Sequence, residues 1–286
     1  MVNTIGNPLT YVASVFGRGA HHLGDGVAEL GSTDTAPIEI RHLALADLRI
    51  ALRKGAEDFT AMRTDVMFIV LVYPVIGLLL VWVAINRALL PLVFPMISGF
   101  ALLGPIFAVG LYEMSRRREA GKKVTWADGF GVLASPSFIP ILVLGVYLAA
   151  IFVLWMVIAL GLHGITLGPD APESATAFLR EIFQTGPGRT MLVAGVGIGF
   201  VFAAVVLAIS VVSFPLLLDR NVGLPRAVVT SVRVTRENPV VIAGWGLIVA
   251  GLLALGVLTF FVGLIFVLPI LGHATWHLYR QAVVAP

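Results

Sequence analysis

His273 and His277 lie four residues apart in the segment Leu271–Arg280, LGHATWHLYR. On a helix that spacing projects both imidazoles from one face, an arrangement able to hold a metal ion. No carboxylate and no third histidine stands nearby in sequence to complete such a site. Trp276, Tyr279 and Arg280 beside them are the aromatic and basic anchors of a membrane–water boundary. Interfacial anchoring with polar packing is therefore the preferred reading of this face, and a metal or haem ligand pair is the alternative.

A second group is Tyr112 and Glu113 followed by Arg116, Arg117 and Arg118, and a third is Asp219–Arg220. Carboxylates beside guanidinium groups at helix ends pair with each other or with adjacent loops. The functional alternative is a basic pocket for anionic lipid head groups, formed where two such ends converge. Gly195-Val196-Gly197-Ile198-Gly199 resembles a phosphate loop only superficially. No strand precedes it and no Lys-Ser/Thr follows it, so these small residues serve close helix packing in lipid. The chain has no cysteine, which removes disulfides, thiolate metal sites and cysteine nucleophiles. A linear reading finds no Ser/His/Asp set, carboxylate pair or nucleotide motif. The expectation is a protein that is not an enzyme and carries no cofactor.

The elements that position these residues are membrane helices. Residues 239–278 contain no Asp, Glu, Lys or Arg, and uncharged runs also cover 66–86, 88–112, 129–169 and 190–218. A helical crossing needs about 20 apolar residues for ~30 Å of hydrocarbon. Only 12% of the chain is charged, about half the share in soluble proteins. Spans are predicted at about 66–85, 90–112, 139–162, 191–218, 240–257 and 260–278. The last two come from one run that as a single helix would be far too long for a bilayer, so a tight apolar turn near Gly256–Gly263 is expected.

Six crossings put sixteen of the nineteen Lys and Arg on one side, leaving Arg87, Arg180 and Arg189 on the other. By the positive-inside rule both termini are cytoplasmic. No span carries a charge in its interior, which disfavours proton- or ion-coupled transport. Nucleic-acid binding is excluded because no basic stripe is interleaved with exposed aromatics.

A threefold pattern runs along the chain. Each pair of spans follows a moderately polar segment: 43–62 (Leu45, Leu48, Leu52, Ala56, Phe59), 124–133 (Trp126, Phe130, Leu133) and 224–235 (Leu224, Val228, Ser231, Val232, Thr235). Apolar residues at this spacing form one helical face, and a basic opposite face suits a helix lying in the interface. The predicted fold is thus all-α: six transmembrane helices in three hairpins, each preceded by a cytoplasmic interfacial amphipathic helix. Residues 1–38 read as a poorly structured tail, 39–280 as the membrane domain and 281–286 as a C-terminal tail. The outer loop 163–189 holds a short helix at 174–184 whose Phe178 and Ile182 face the membrane.

Gly99–Gly121 (GFALLGPIFAVGLYEMSRRREAG), Ile209–Asn238 (ISVVSFPLLLDRNVGLPRAVVTSVRVTREN) and Leu271–Arg280, with the entry segment Ala46–Phe59, carry a family resemblance. Over about residues 40–280 the chain resembles the bacterial integral-membrane family known as domain of unknown function 2189, with GHATWHLYR the most specific piece. The resemblance implies a polytopic inner-membrane protein, mainly of proteobacteria, and no established activity. Some relatives carry a label linking them to cytochrome oxidase subunit I. The histidines here argue against an oxidase core. His21, His22 and His42 precede any span, His163 sits at an outer boundary, and only His273 and His277 lie near a span end.

The favoured expectation is a non-catalytic scaffold or accessory subunit that contacts membrane proteins, or itself, and anionic lipid. The alternatives are a permease or lipid-handling protein, and a haem- or metal-binding accessory protein using the C-terminal histidines.

Overall fold

The computed structural model describes residues 38–70, 75, 77–79, 82 and 87–284. The predicted N-terminal tail and much of the first span lie outside the described residues. Eleven α-helices follow in order among them: α1 (Leu45–Val70), α2 (Val93–Leu102), α3 (Gly104–Phe107), α4 (Val109–Glu119), α5 (Phe138–Thr166), α6 (Ala175–Gln184), α7 (Gly186–Ser210), α8 (Ser213–Asp219), α9 (Leu224–Glu237), α10 (Pro239–Leu258) and α11 (Leu264–Ala282). Two 3-10 helices, Arg87–Leu92 and Trp126–Ala134, complete the set. No strand occurs among the described residues, apart from an isolated antiparallel bridge between Ile40 and Val283.

Among the described residues, three helices are long and apolar enough to cross a membrane: α5, the continuous run α7–α8 (Gly186–Asp219) and α10. The predicted second span is instead broken into the 3-10 helix at Arg87–Leu92, α2, α3 and α4. Pro91, Pro95 and Pro105 fall along this run, where a missing N–H and a fixed φ discourage one straight helix. The predicted break within the last apolar run is present. α10 ends at Leu258, α11 begins at Leu264, and Phe260 and Phe261 take positive φ in the turn between them.

Each predicted interfacial segment is helical, but its buried face is rotated from the predicted stripe. In α1 the buried residues are Leu48, Ala51, Gly55, Asp58, Phe59 and Met62, while Leu45 is 60% exposed. In α9 they are Ala227, Thr230, Ser231 and Val234, and in the segment Trp126–Ala134 they are Gly129 and Val132. Small and polar side chains occupy the contact faces because they let backbones approach closely.

α1 and α11 cross closely. A Cβ on Gly55 would stand 2.6 Å from both Ile270 O and Ala274 N, so only glycine permits this approach. α5 and α7 meet through Gly199 against Trp155 and Gly195 against Leu162, as expected for the 195–199 glycines. Trp155 is also tied to α2, its Nε1 donating at 3.2 Å to Pro95 O and to Ser98 Oγ.

Residues 282–284 pair with residues 39–41. Arg41 N donates to Ala282 O at 2.9 Å and Val284 N donates to Glu39 O at 3.1 Å. Asn238, 5% exposed at the end of α9, accepts from Leu43 N at 2.6 Å and donates through Nδ2 to Arg41 O and Val234 O, each at 3.2 Å. This side chain staples residues 41–43 to the α9–α10 corner. Asn238→Ala is expected to destabilise by about 2 kcal/mol, since it strands a buried N–H and carbonyl. The check is limited proteolysis, where cleavage before Leu45 accelerates in the variant and the rest of the pattern is unchanged.

In the loop, Ser174 caps α6 by accepting from Ala177 N at 3.1 Å. Phe178 turns inward, its ring centroid 6.0 Å from that of His163, so Leu179 and Phe183 rather than Phe178 form the exposed apolar face.

Candidate functional site

The polar residues singled out in the sequence gather at one end of the bundle, where α1, α4, α8 and α11 meet. At its centre is Asp58 of α1, 4% exposed, which linear reading passed over. Ser115 Oγ donates to Asp58 Oδ2 at 2.6 Å, and His277 Nε2 donates to the same oxygen at 2.9 Å. Arg118 Nη1 donates to the other oxygen, Oδ1. Ser115 is also 2.8 Å from His273 Nδ1. Its single proton goes to Asp58, so His273 Nδ1–H donates to Ser115. That leaves His273 Nε2 unprotonated, buried and without a hydrogen-bond partner.

Burial alone raises the Asp58 carboxyl pKa. The hydrogen bonds from His277 and Ser115, with the nearby imidazole charge, outweigh burial and hold the pKa below the ordinary carboxylate value.

The fold brings together a Ser, two His and an Asp that the linear reading left apart, and the carboxylate that reaches the C-terminal histidines is remote from them in sequence. Asp58 lies 219 residues from His277 and Ser115 lies 158 from His273, distances over which spacing carries no signal. The cue available in sequence was Asp58 on the same helical face as Leu48, Ala51, Gly55 and Met62. The arrangement differs from a nucleophilic triad, because the serine donates to the carboxylate instead of to an imidazole base. Ser115 is fully buried, with no exposed surface for a substrate to reach.

A second layer closes around this junction. Glu113, 2% exposed, accepts from Arg116 Nε at 2.8 Å and from Arg117 Nε at 2.5 Å. Arg117 also bonds Asp128, and Asp128 accepts from Thr125 N at 2.8 Å. Trp276 Nε1 donates to Glu119 Oε2 at 2.9 Å. Tyr279 O–H donates to Asp219 Oδ2 at 2.7 Å, and Arg280 reaches Glu119 at 3.2 Å and Asp219 at 3.4 Å. Burial and the neighbouring Asp219 push the Tyr279 phenol well above its usual value, so it stays a donor. Arg220 Nη2 donates to Val284 O at 2.5 Å, while its Nε is buried without a partner. Tyr112, 2% exposed, packs in the core beneath.

The ends of α4 and α8 meet at this junction. Its arginines 116, 117, 118 and 280 are matched by Asp58, Glu113, Glu119, Asp128 and Asp219. The histidine pair does not point at one centre: His277 is committed to Asp58 and His273 to Ser115. Among the described residues, no three His, Cys, Asp or Glu side chains are arranged to hold a metal ion.

The long apolar helices meet a matching family model over residues 93–219, described as predicted integral membrane protein, DUF2189. Over residues 93–219 the chain is similar to that family. The chain is an integral membrane protein. The DUF2189 stretch runs from α2 to the end of α8 and contributes Glu113, Ser115, Arg116, Arg117, Arg118, Asp128 and Asp219 to the junction. Asp58, His273 and His277 lie outside it, as do the resemblance segments Ala46–Phe59 and Leu271–Arg280. Comparison with curated proteins and with solved structures gives no match.

Proposed function

We propose that this membrane protein is a non-catalytic scaffold or accessory subunit of the bacterial inner membrane. It contacts other integral membrane proteins, or further copies of itself, and anionic lipid. It crosses the bilayer six times as three hairpins, each entered by an interfacial helix, and both termini are cytoplasmic. The crossings beyond α5, α7–α8 and α10 are the segment 66–85, the broken run 90–112 and α11. The observation that carries the reading is the internal closure of the polar junction. Asp58, Glu113 and Ser115 are almost fully buried and spend their hydrogen bonds on the chain's own side chains. Such a network rigidifies a bundle, and it leaves no reactive group facing a substrate.

A lipid-handling protein is the second reading. It is favoured by a small apolar groove lined by residues including Gly77, Ile97, Phe107, Leu253, Phe261 and Leu268. Affinity purification from native membranes, with mass spectrometry of bound proteins and lipids and an absorbance spectrum for haem, tests both. A stoichiometric membrane-protein partner or a homo-oligomer is the expected result. A lone polypeptide carrying stoichiometric lipid favours the second reading, and a haem spectrum abolished by replacing His273 and His277 with Phe overturns both.

A further inference from the structure

At the buried junction Arg116, Arg117, Arg118 and Arg280 are paired with carboxylates and Arg220 is spent on the Val284 carbonyl, so the exposed cations are the ones open to an anionic ligand. Among the described residues, Arg41, Arg49, Lys54, Lys122, Lys123 and Arg236 are exposed and make no ion pair. Two of them flank one corner. Asn238 binds the backbone of Arg41 and Leu43, and Arg236 lies two residues before Asn238. Pro239, the next residue, starts the membrane helix α10.

An apolar strip leads away from that corner. Val240, Gly244 and Leu247 recur at the spacing of one helical face. Leu45 lies over the glycine, its Cδ2 3.7 Å from where a Gly244 Cβ would be. Leu45 is 60% exposed, Val240 68% and Leu247 71%. Of the acidic groups nearby, only Glu237 is spent on a cation, Arg233, while Asp47, which accepts from Ala44 N, and Glu39 keep their charge beside the exposed guanidinium groups.

We infer that this corner is a binding site for an anionic phospholipid. Arg41 and Arg236 meet the head-group phosphate, and an acyl chain lies along Leu45, Val240 and Leu247. The charge complements the head group, and the strip follows the α10 face from the membrane boundary into the hydrocarbon, which a soluble anion would not need. This inference deepens the anionic-lipid part of the proposed function and rests on it.

The test uses the full chain, delipidated in mild detergent and titrated with phosphatidylglycerol or phosphatidylcholine, with bound lipid counted by native mass spectrometry. Wild type is expected to prefer phosphatidylglycerol. The double variant Arg41→Gln, Arg236→Gln is expected to lose about 25-fold in phosphatidylglycerol affinity, about five-fold per cation. A Lys122→Gln, Lys123→Gln variant carries the same charge change at another place and is expected to keep the preference. A double variant that binds like wild type overturns the site, as does an equal loss in the lysine control. Wild type without any preference overturns the anionic-lipid reading itself. Inorganic phosphate that displaces phosphatidylglycerol at millimolar concentration overturns the assignment to a lipid.

Discussion

Gly55→Val is expected to push α1 away from α11 and to lower the melting temperature more than any other substitution considered. The Cβ it introduces would sit 2.6 Å from Ile270 O and from Ala274 N and 2.7 Å from Ala274 Cβ. Two of these obstacles are backbone atoms, which cannot rotate aside as a flexible side chain would. Overpacking in a core costs about 1–3 kcal/mol and sometimes more. Backbone obstacles and a branched side chain place this case at about 3 kcal/mol or above, a fall of roughly 10 °C in melting temperature for a chain of this size. The displacement would also draw Asp58, one turn further along α1, away from His277. Gly251→Ala is the matched control. It lies within α10 with nothing inside 4 Å of the new Cβ, and it is expected to be neutral or stabilising by up to about 1 kcal/mol. Thermal unfolding in detergent measures both, and a Gly55→Val protein that melts with wild type would refute the crossing geometry.

That crossing marks the boundary of what could be read from the sequence. Long uncharged runs give away membrane helices because ionised groups in hydrocarbon are so costly. α5, α7–α8 and α10 accordingly lie where they were expected, and so does the break at residues 259–263. Helix rotation was less legible. In α1 the expected stripe is Leu45, Leu48, Leu52, Ala56 and Phe59; Leu48 and Phe59 are buried, but the rest of the contact face is Ala51, Gly55, Asp58 and Met62. Between helices in lipid, association is driven by close approach more than by hydrophobicity, so a stripe of the largest residues points the wrong way. The components of the junction were half visible. Glu113, Arg116, Arg117, Arg118, Asp219, Trp276, Tyr279 and Arg280 are conspicuous as charges and anchors at helix ends. Asp58 and Ser115 look like ordinary polar residues until the tertiary fold places them against His277 and His273.

Asp58→Ala is expected to have the second-largest effect, a loss of about 3 kcal/mol. The substitution removes one carboxylate and strands three donors: the Ser115 hydroxyl, His277 Nε2–H and the Arg118 guanidinium. Breaking a buried pair from one side costs about 3–5 kcal/mol. The Arg118 side chain is 40% exposed and regains water, which places the expectation at the low end. His273→Leu is the informative contrast. Its Nε2 already lacks a partner and Ser115 keeps its bond to Asp58, so the cost should stay near 1 kcal/mol. Acid provides an independent reading of the same group. A carboxyl whose folded pKa is depressed contributes stability at pH values above its unfolded pKa, and loses it as pH falls through the folded value. For Asp58, held below its ordinary pKa of 3.8, wild-type stability should therefore drop below about pH 4. Asp58→Asn, which cannot titrate, should start lower at pH 7 and fall less steeply below pH 4. Parallel pH–stability curves for the two proteins would show that the carboxylate does not hold the junction together.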